Sequence, residues 1–555
     1  MVVKKTGSPW YKSYDPQVPY ALDYPDQPLH VFLEQTSRLY PQKVCTIFNN
    51  HILTYSQMDR LTDALAAGLV SLGVKPGQRV AILLPNCPQF VLVFYAILKA
   101  GGVVVTLNPA YKTAELAFQL TDSAAMLAVT LEDRAGVLHG LLPQTGLRHI
   151  LTTTLDEADL LETTLPGQKY AVSTVMGLLN VLSAFSGSPR PEIHVSGDDP
   201  AIFQYSGGTT GTPKAAVGLH RNLVANSIQF DSWLGGLIPG HEIILAAIPL
   251  FHVYGMVLAM NLAIHIAATL ILVADGHDTT TILEHINRYR PTLFPGAPGL
   301  YRAINDHSGV QNSAYDLSSL KACISGSAPL PPRVKQNFED LTGARILEGY
   351  GLSEAPTATH CNPLVGSNLA GSIGLPLPDV ECRIISLENE QVDLPPGQAG
   401  ELLLRGPQVM AGYHNRPQES AESLDGGWLH TGDVAWMDNE GYFYLVDRRK
   451  DLIKAGGLQV WPREVEEVIL AHPAVADAGV AGVMDPIYGE TVRAWVVSRK
   501  GQQVDGNQII NWVRERLAVY KAPRQVVFVE ALPRSSLGKL LRRELRRWHE
   551  ISNIS

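Results

Sequence analysis

The chain has 555 residues, of which 46% are hydrophobic and 17% charged, and its formal net charge is −9. That length exceeds what one hydrophobic core usually supports, so two or more domains are expected, and the composition is that of a folded globular enzyme rather than a disordered or fibrous chain. The acidic balance argues against bulk attraction to nucleic-acid phosphates, although a local basic pocket could still hold a nucleotide.

The N-terminal stretch MVVKKTGSPWYKSYDPQ is charged and has no apolar core, so it does not read as a secretory signal. Cys45, Cys87, Cys323, Cys361 and Cys382 are scattered without CxxC or Cys/His metal spacing, which points to a reducing compartment, the cytoplasm by default, and to no zinc site. From Thr54 to Gln57 the sequence forms a capping box, and Met58, Leu61, Leu65, Leu69 and Leu72 follow at helical spacing up to Gly73. A strand-like run at Val80–Leu84, a helix-length apolar stretch at Phe90–Ala100 and a β-branched run at Val103–Leu107 then give the order strand, helix, strand, the signature of parallel sheet. Similar alternation recurs at Ile243–Ile248, Ile282–Arg290 and Leu320–Ser325. The apolar windows Ala171–Phe185 and Leu262–Val273 are too short and too polar to span a membrane and read as core.

The charged run Asp447-Arg448-Arg449-Lys450-Asp451 precedes denser, shorter elements: a helix with Pro462 in its first turn, strands at Val475–Val483 and Val492–Val497, a helix at Gln508–Leu517 and a strand at Gln525–Val529. The expected fold is therefore α/β, with a large layered region at residues 1–447 and a small α+β domain at 454–555, joined through 448–453.

One loop stands out for chemistry. Tyr205-Ser206-Gly207-Gly208-Thr209-Thr210-Gly211-Thr212-Pro213-Lys214 packs three glycines, four hydroxyl residues of the Ser/Thr type and a lysine into ten positions. Glycines let backbone N–H groups approach phosphate oxygens, hydroxyls donate, and lysine adds a point charge. The GxxxxGK[ST] spacing fails because Lys214 follows Pro213, so this is not a Walker A loop.

This loop resembles the signature of the adenylate-forming (ANL) superfamily, which includes acyl-CoA synthetases, luciferases and peptide-synthetase adenylation domains. Further segments resemble that family's motifs in the same order: Pro249-Leu250-Phe251-His252, Ser325-Gly326-Ser327-Ala328-Pro329, Glu348-Gly349-Tyr350-Gly351-Leu352-Ser353-Glu354, Trp428-Leu429-His430-Thr431-Gly432-Asp433, the Asp447–Asp451 run and Pro533-Arg534-Ser535-Ser536-Leu537-Gly538-Lys539. Within the superfamily, Gly397–Asn415 and Trp428–Gly432 look most like fatty-acyl-CoA synthetases.

The resemblance implies parallel-rich sheets with a β-subdomain, then a small mobile C-terminal domain. It also implies activation of a fatty acid by ATP to acyl-AMP, with transfer to coenzyme A; the alternative is an adenylating or aryl-acid ligase that loads a carrier protein or another thiol. A nucleotide- or acyl-binding protein without chemistry is a third reading, against which the intact Lys539, Lys454 and Glu354 speak. By resemblance, Ser206, Gly207, Gly208, Thr209, Thr210, Gly211 and Lys214 cradle phosphates. Glu354 and Thr209 hold Mg²⁺, and Ser353 contacts the α-phosphate. Tyr350 lies against adenine in the frame Glu348, Gly349 and Gly351, with Gly326, Ser327 and Ala328 as the opposite wall. Asp433 and Arg448 take the ribose, and His252 gates the acid's carboxylate, with Tyr254 and Met256 toward the acyl path. Lys539 serves adenylation. Lys454, Gly457 and Gln459 belong to a face that serves the second step after rotation at the hinge Lys450. The alternative reading of Gly456-Gly457 is a simple hairpin turn. Ala215, Gly218-Leu219-His220 and Ser353 depart from the commoner family residues without removing an assigned polar group. A homodimer and peripheral membrane contact are compatible with the resemblance.

Overall fold

The computed structural model describes residues 7–158, 161, 172–206, 213–455, 458–485, 489–535 and 538–552. Four sheets organise them. The first has Arg79–Leu83 and Val103–Thr106 at its centre, flanked by Leu127–Leu131, His149–Thr153 and Val175–Gly177 on one side and Pro200–Ser206 on the other, all parallel, with Lys214–Leu219 closing the edge as an antiparallel hairpin strand. The second runs parallel from Val44–Phe48 through Thr269–Leu272, Ile243–Ala246, Leu293–Gly296 and Ala322–Ser325 to Arg345–Leu352. Antiparallel strands end it: His51–Thr54 at one edge, Ala355–Cys361 and Leu375–Pro376 at the other.

The expected elements form where their sequence signals lie. Thr54 and Gln57 make the reciprocal capping box of the helix Tyr55–Ser71. Pro88–Lys99 is buried along its whole length, as a helix apolar on every side should be, and its terminal Lys99 ammonium is held by Asp59 (2.6 Å) and Asp63 (2.5 Å). The window Leu262–Val273 is core, divided into the helix Leu262–His265 and the strand Thr269–Leu272. In the other window Ala171 lies outside the described residues, and the remainder contains Val175–Gly177 and the helix Leu178–Ala184. No helix among the described residues is long and apolar enough to cross a membrane.

A four-stranded antiparallel sheet follows: Glu381–Ile385, Gly400–Arg405, Leu429–Met437 and Phe443–Arg448. The fourth sheet combines Ile453–Ala455, Leu458–Val460, Val475–Asp485 and Gly489–Ser498, with Gln525–Phe528 parallel to the last of these. It has its own apolar core around Val465, Ile469, Val480 and Val513. Residues 449–452 connect the third and fourth sheets.

Candidate active site

A cavity of about 890 Å³ lies beyond the carboxyl ends of parallel strands, where α/β sheets commonly receive ligands. Thr106 and Asn108 border it at the end of one sheet, Ile324, Gly326 and Ser327 at the end of another, and Arg448, Lys450, Ser535 and Lys539 reach it from the C-terminal part of the chain. Its lining also includes the apolar side chains Phe230, Phe251, Val253 and Leu258. Leu258 sits in a wide, π-helical turn, Met256–Asn261, an irregularity that often re-aims side chains at functional sites.

Ser206 and Lys214 face each other across the hairpin, and both border the cavity. The Lys214 ammonium stands 5.0 Å from the centre of the Tyr413 ring, and the Tyr413 hydroxyl donates to Glu354 Oε1 at 2.9 Å. Burial, then the neighbouring Glu354 carboxylate, keep that phenol protonated by raising its pKa. Glu354 and Ser353 follow the strand Arg345–Leu352, and both border the cavity.

Tyr350, on the same strand, is buried, and its hydroxyl donates to Asp433 Oδ2 at 2.6 Å. Arg448 Nε lies 2.8 Å from Asp433 Oδ1, across paired strands. Gly349 and Gly351 line the space beside Tyr350. A Cβ on Gly351 would overlap the Thr357 carbonyl oxygen, so only glycine lets the two strands approach here. A Cβ on Gly326 would stand 3.3 Å from the Tyr254 ring, whose hydroxyl donates to the Ile324 (2.7 Å) and Gly296 (3.0 Å) carbonyls.

Two further polar groups in the lining are a histidine and a lysine. Burial, helped by the nearby Lys539 charge, pushes the His252 pKa down to about 4, so the ring is neutral at physiological pH. His252 Nδ1 accepts the Tyr254 backbone N–H at 3.3 Å, which leaves the proton on Nε2. The Lys539 pKa falls to about 8, chiefly through burial and then through Arg448. Lys450 is lowered for the same two reasons in the same order. Three cations thus crowd one side of the cavity with Asp433 and Glu354 as nearby carboxylates, an arrangement completed by a polyanion.

The remaining sequence expectations fall in other places. Gly207, Gly208, Thr209, Thr210, Gly211 and Gly457 lie outside the described residues. Glu348 is buried away from the cavity lining, where its carboxylate accepts the Leu330 N–H at 3.1 Å and burial pushes its pKa up to about 7. It braces the loop that carries Ser327. Ala328 belongs to that loop outside the lining, and Met256 is buried in the π turn behind it. Lys454 and Gln459 pair with each other across a short hairpin and are exposed away from the cavity. Residues 455 and 458 oppose each other in that hairpin, and Gly456 lies with Gly457 outside the described residues.

Residues 33–414 match the family described as AMP-binding enzyme, and residues 464–539 match the AMP-binding enzyme C-terminal domain. The chain is 40% identical over 554 residues to the long-chain-fatty-acid–CoA ligase of Bacillus subtilis (strain 168), covering 98% of each protein. It is 34% identical to the enzyme of the same name from Escherichia coli O6:H1, covering 97% of each. The crystal structure of ATP-bound MatB from Rhodopseudomonas palustris superimposes with a TM-score of 0.83 at 28% identity, covering 94% of this chain and 99% of that one. This protein belongs to the AMP-binding enzyme family.

In this AMP-binding enzyme, Lys214, His252, Tyr350, Ser353, Glu354, Arg448 and Lys539, all named from sequence motifs, belong to the cavity's polar lining. The motifs did not single out Tyr413, Arg416 or Thr431 as site residues. Thr431 borders the cavity and its hydroxyl is tied to the Leu402 carbonyl at 2.7 Å, while Arg416 is paired with Asp122 at 2.9 Å. Thr431 and Tyr413 both stood inside quoted segments, Trp428–Asp433 and Gly397–Asn415, without being given a role; the contacts of Tyr413 come from pairing with residues 215–217.

Proposed function

We propose that this AMP-binding enzyme activates a fatty acid with ATP, forming acyl-AMP and releasing pyrophosphate, and then transfers the acyl group to coenzyme A. The supporting observation is that Lys214, Arg448 and Lys539 border one cavity together with the apolar side chains Phe230, Phe251, Val253 and Leu258. A polyphosphate suits the cations and an acyl chain the apolar side chains. The two relatives named for long-chain fatty acids favour an alkyl acid.

A carboxylate is a poor acyl donor because its oxygen is a poor leaving group. Its attack on the α-phosphorus of ATP, in line with departing pyrophosphate, gives a mixed anhydride that a thiolate can open. Both steps move negative charge among phosphate oxygens, so fixed cations and donors supply the catalysis. Lys539 is placed to meet the acid's carboxylate and the α-phosphate. Neutral His252, in the same lining, offers Nε2–H, a donor that orients a carboxylate without neutralising it. Asp433 and Arg448 present an acceptor and a donor to ribose hydroxyls beside Tyr350. Lys214 takes the outer phosphates.

No group of three or more His, Cys, Asp or Glu side chains among the described residues could hold a metal. Glu354 alone, oriented by the Tyr413 hydroxyl, fits Mg²⁺, an ion commonly bound by one or two carboxylates with phosphate oxygens and waters. Glu354 would hold it, with Thr209 as the second expected protein ligand. When bound, the ion neutralises charge on the phosphates. Lys539 inside the cavity and Lys454 outside it suit the first step; the second would follow reorientation of the C-terminal sheet about Lys450. Five free cysteines, four of them buried, fit work in the reducing cytoplasm.

Purified protein, ATP, Mg²⁺, coenzyme A and a panel of alkyl acids of increasing length, with benzoate and ferulate, test the reading by AMP and thioester formation. Long alkyl acids should give both products. Absence of AMP with every acid would end the proposal. Acyl-adenylate that accumulates until a carrier protein is added would move the acceptor away from coenzyme A.

A further inference from the structure

Tyr413 touches both groups expected to meet the outer phosphates. Its ring lies under the Lys214 ammonium at 5.0 Å and its hydroxyl donates to Glu354 Oε1 at 2.9 Å. The contacts use different parts of one side chain, so a single rotamer fixes a cation and a carboxylate that are 140 positions apart in sequence.

The backbone around Tyr413 makes that rotamer a fixed point. Ala411 N–H donates to the Val217 carbonyl and Val217 N–H to the Gly412 carbonyl, both at 2.9 Å, and His414 N–H donates to the Ala215 carbonyl at 2.9 Å. These bonds lace residues 411–414 to the strand that begins at Lys214. Met410 N–H donates to the Glu354 carbonyl at 2.9 Å, which ties the same segment to the other partner's main chain. The Tyr413 N–H is taken by Ser420 Oγ at 2.8 Å. The segment is thus bonded on both sides, and the tyrosine is the side chain that reaches from it to the two charged groups.

We infer that Tyr413 is a positioning residue for MgATP, holding Lys214 and Glu354 at a set separation before the nucleotide arrives. This rests on the assignment of the cavity to MgATP. A lysine with four rotatable bonds loses rotamer freedom when it grips a phosphate, and an aromatic face that already holds its ammonium removes part of that cost. The phenol O–H occupies Glu354 Oε1 and restrains the carboxylate plane, which leaves Oε2, with no hydrogen bond among the described residues, to serve the ion. The two halves of the role are separable: the ring serves the lysine and the hydroxyl serves the carboxylate.

The test compares Tyr413→Phe and Tyr413→Leu with wild type by calorimetric titration of ATP in the absence of acid at several Mg²⁺ concentrations, and by pyrophosphate release in steady state. Loss of a hydrogen bond to a charged group should raise the half-saturating Mg²⁺ concentration of Tyr413→Phe roughly tenfold with the thermal midpoint unchanged. Tyr413→Leu should in addition weaken ATP binding by about threefold, the scale of an exposed cation–π contact. The KM for the acid should not move in either variant. In a Lys214→Ala background, Tyr413→Leu should weaken ATP no further than Tyr413→Phe does. A Tyr413→Phe enzyme with wild-type Mg²⁺ dependence would overturn the inference, as would equal shifts in Mg²⁺, ATP and acid parameters accompanied by a lower thermal midpoint. Failure of the wild-type protein to bind ATP at any Mg²⁺ concentration would instead overturn the assignment of the cavity.

Discussion

Lys539, proposed to serve adenylation, shows how burial changes an ordinary side chain. Its pKa of about 8 reflects the cost of charging an ammonium away from water and beside Arg448. The charged form dominates below that value, so adenylation measured as kcat/KM for ATP should fall as pH rises through about 8. Lys539→Arg keeps its charge, and its profile should stay flat across that range even if the rate is lower. Lys539→Ala should slow adenylation by roughly a hundredfold to a thousandfold, the cost of removing one preorganised donor, while thioester formation from supplied acyl-adenylate and coenzyme A persists. Equal damage to both half-reactions would refute the role. His252 gives no competing transition near neutrality, because its pKa of about 4 lies well below that range.

At the scale of elements, the hairpin formed by Arg345–Leu352 and Ala355–Cys361 carries Tyr350 on its first strand and Ser353 and Glu354 in its turn. Its register depends on Gly351, where the Thr357 carbonyl occupies the space of a side chain. Gly351→Ala must push the strands apart, moving the Tyr350 hydroxyl away from Asp433 and Glu354 away from Tyr413. An overpacking cost of about 1–3 kcal/mol in stability is expected, together with at least a tenfold loss in ATP affinity, read by thermal melting and calorimetry. A variant that melts lower yet binds ATP normally would show that the hairpin is only scaffold. Elements of this kind were largely legible beforehand. The capping box at Thr54, the strand–helix–strand order after it and Pro462 in the first turn of its helix are local signals, and each forms as read. The site was legible only as separate motifs. Glu348 belongs to the same motif as Tyr350, yet its carboxylate turns to the Leu330 N–H, a choice set by the loop packed behind the strand. Tyr413 lay in a segment read only for its family resemblance and was given no role, because its neighbours come from strand pairing with residues 215–217.

In the whole molecule, an ionic cluster decides how the C-terminal part sits while Lys539 is in the cavity. Arg542 lies 2.7 Å from Glu466, 3.3 Å from Asp447 and 3.6 Å from Asp451, and Arg546 lies 3.3 Å from Asp451. Asp447 also accepts the Arg463 N–H at 2.9 Å, so the end of the antiparallel sheet is joined to both a helix start and the C-terminal helix. Burial outweighs these arginines for the acids: the Glu466 pKa is pushed up to about 6, and Asp447 is raised as well. Carboxylates with raised folded pKa values favour the fold below their unfolded values, and this contribution is lost as pH rises through the folded ones. At neutral pH the cluster therefore supplies orientation more than stability, which suits a contact that must break if the sheet turns about Lys450. Removing Arg542 leaves two or three buried carboxylates without their partner, a loss of about 3 kcal/mol or more. Arg542→Gln should therefore melt below wild type at pH 8, and the deficit should shrink as pH falls through about 6 and the acids take up protons. In the same variant adenylation should drop about tenfold or more, since a destabilised Lys539-in pose is populated less, whereas thioester formation from supplied acyl-adenylate should stay within about twofold of wild type. A thermal deficit that grows on acidification, or a thioester step that falls along with adenylation, would mean that the cluster holds the C-terminal fold itself and not its placement over the cavity.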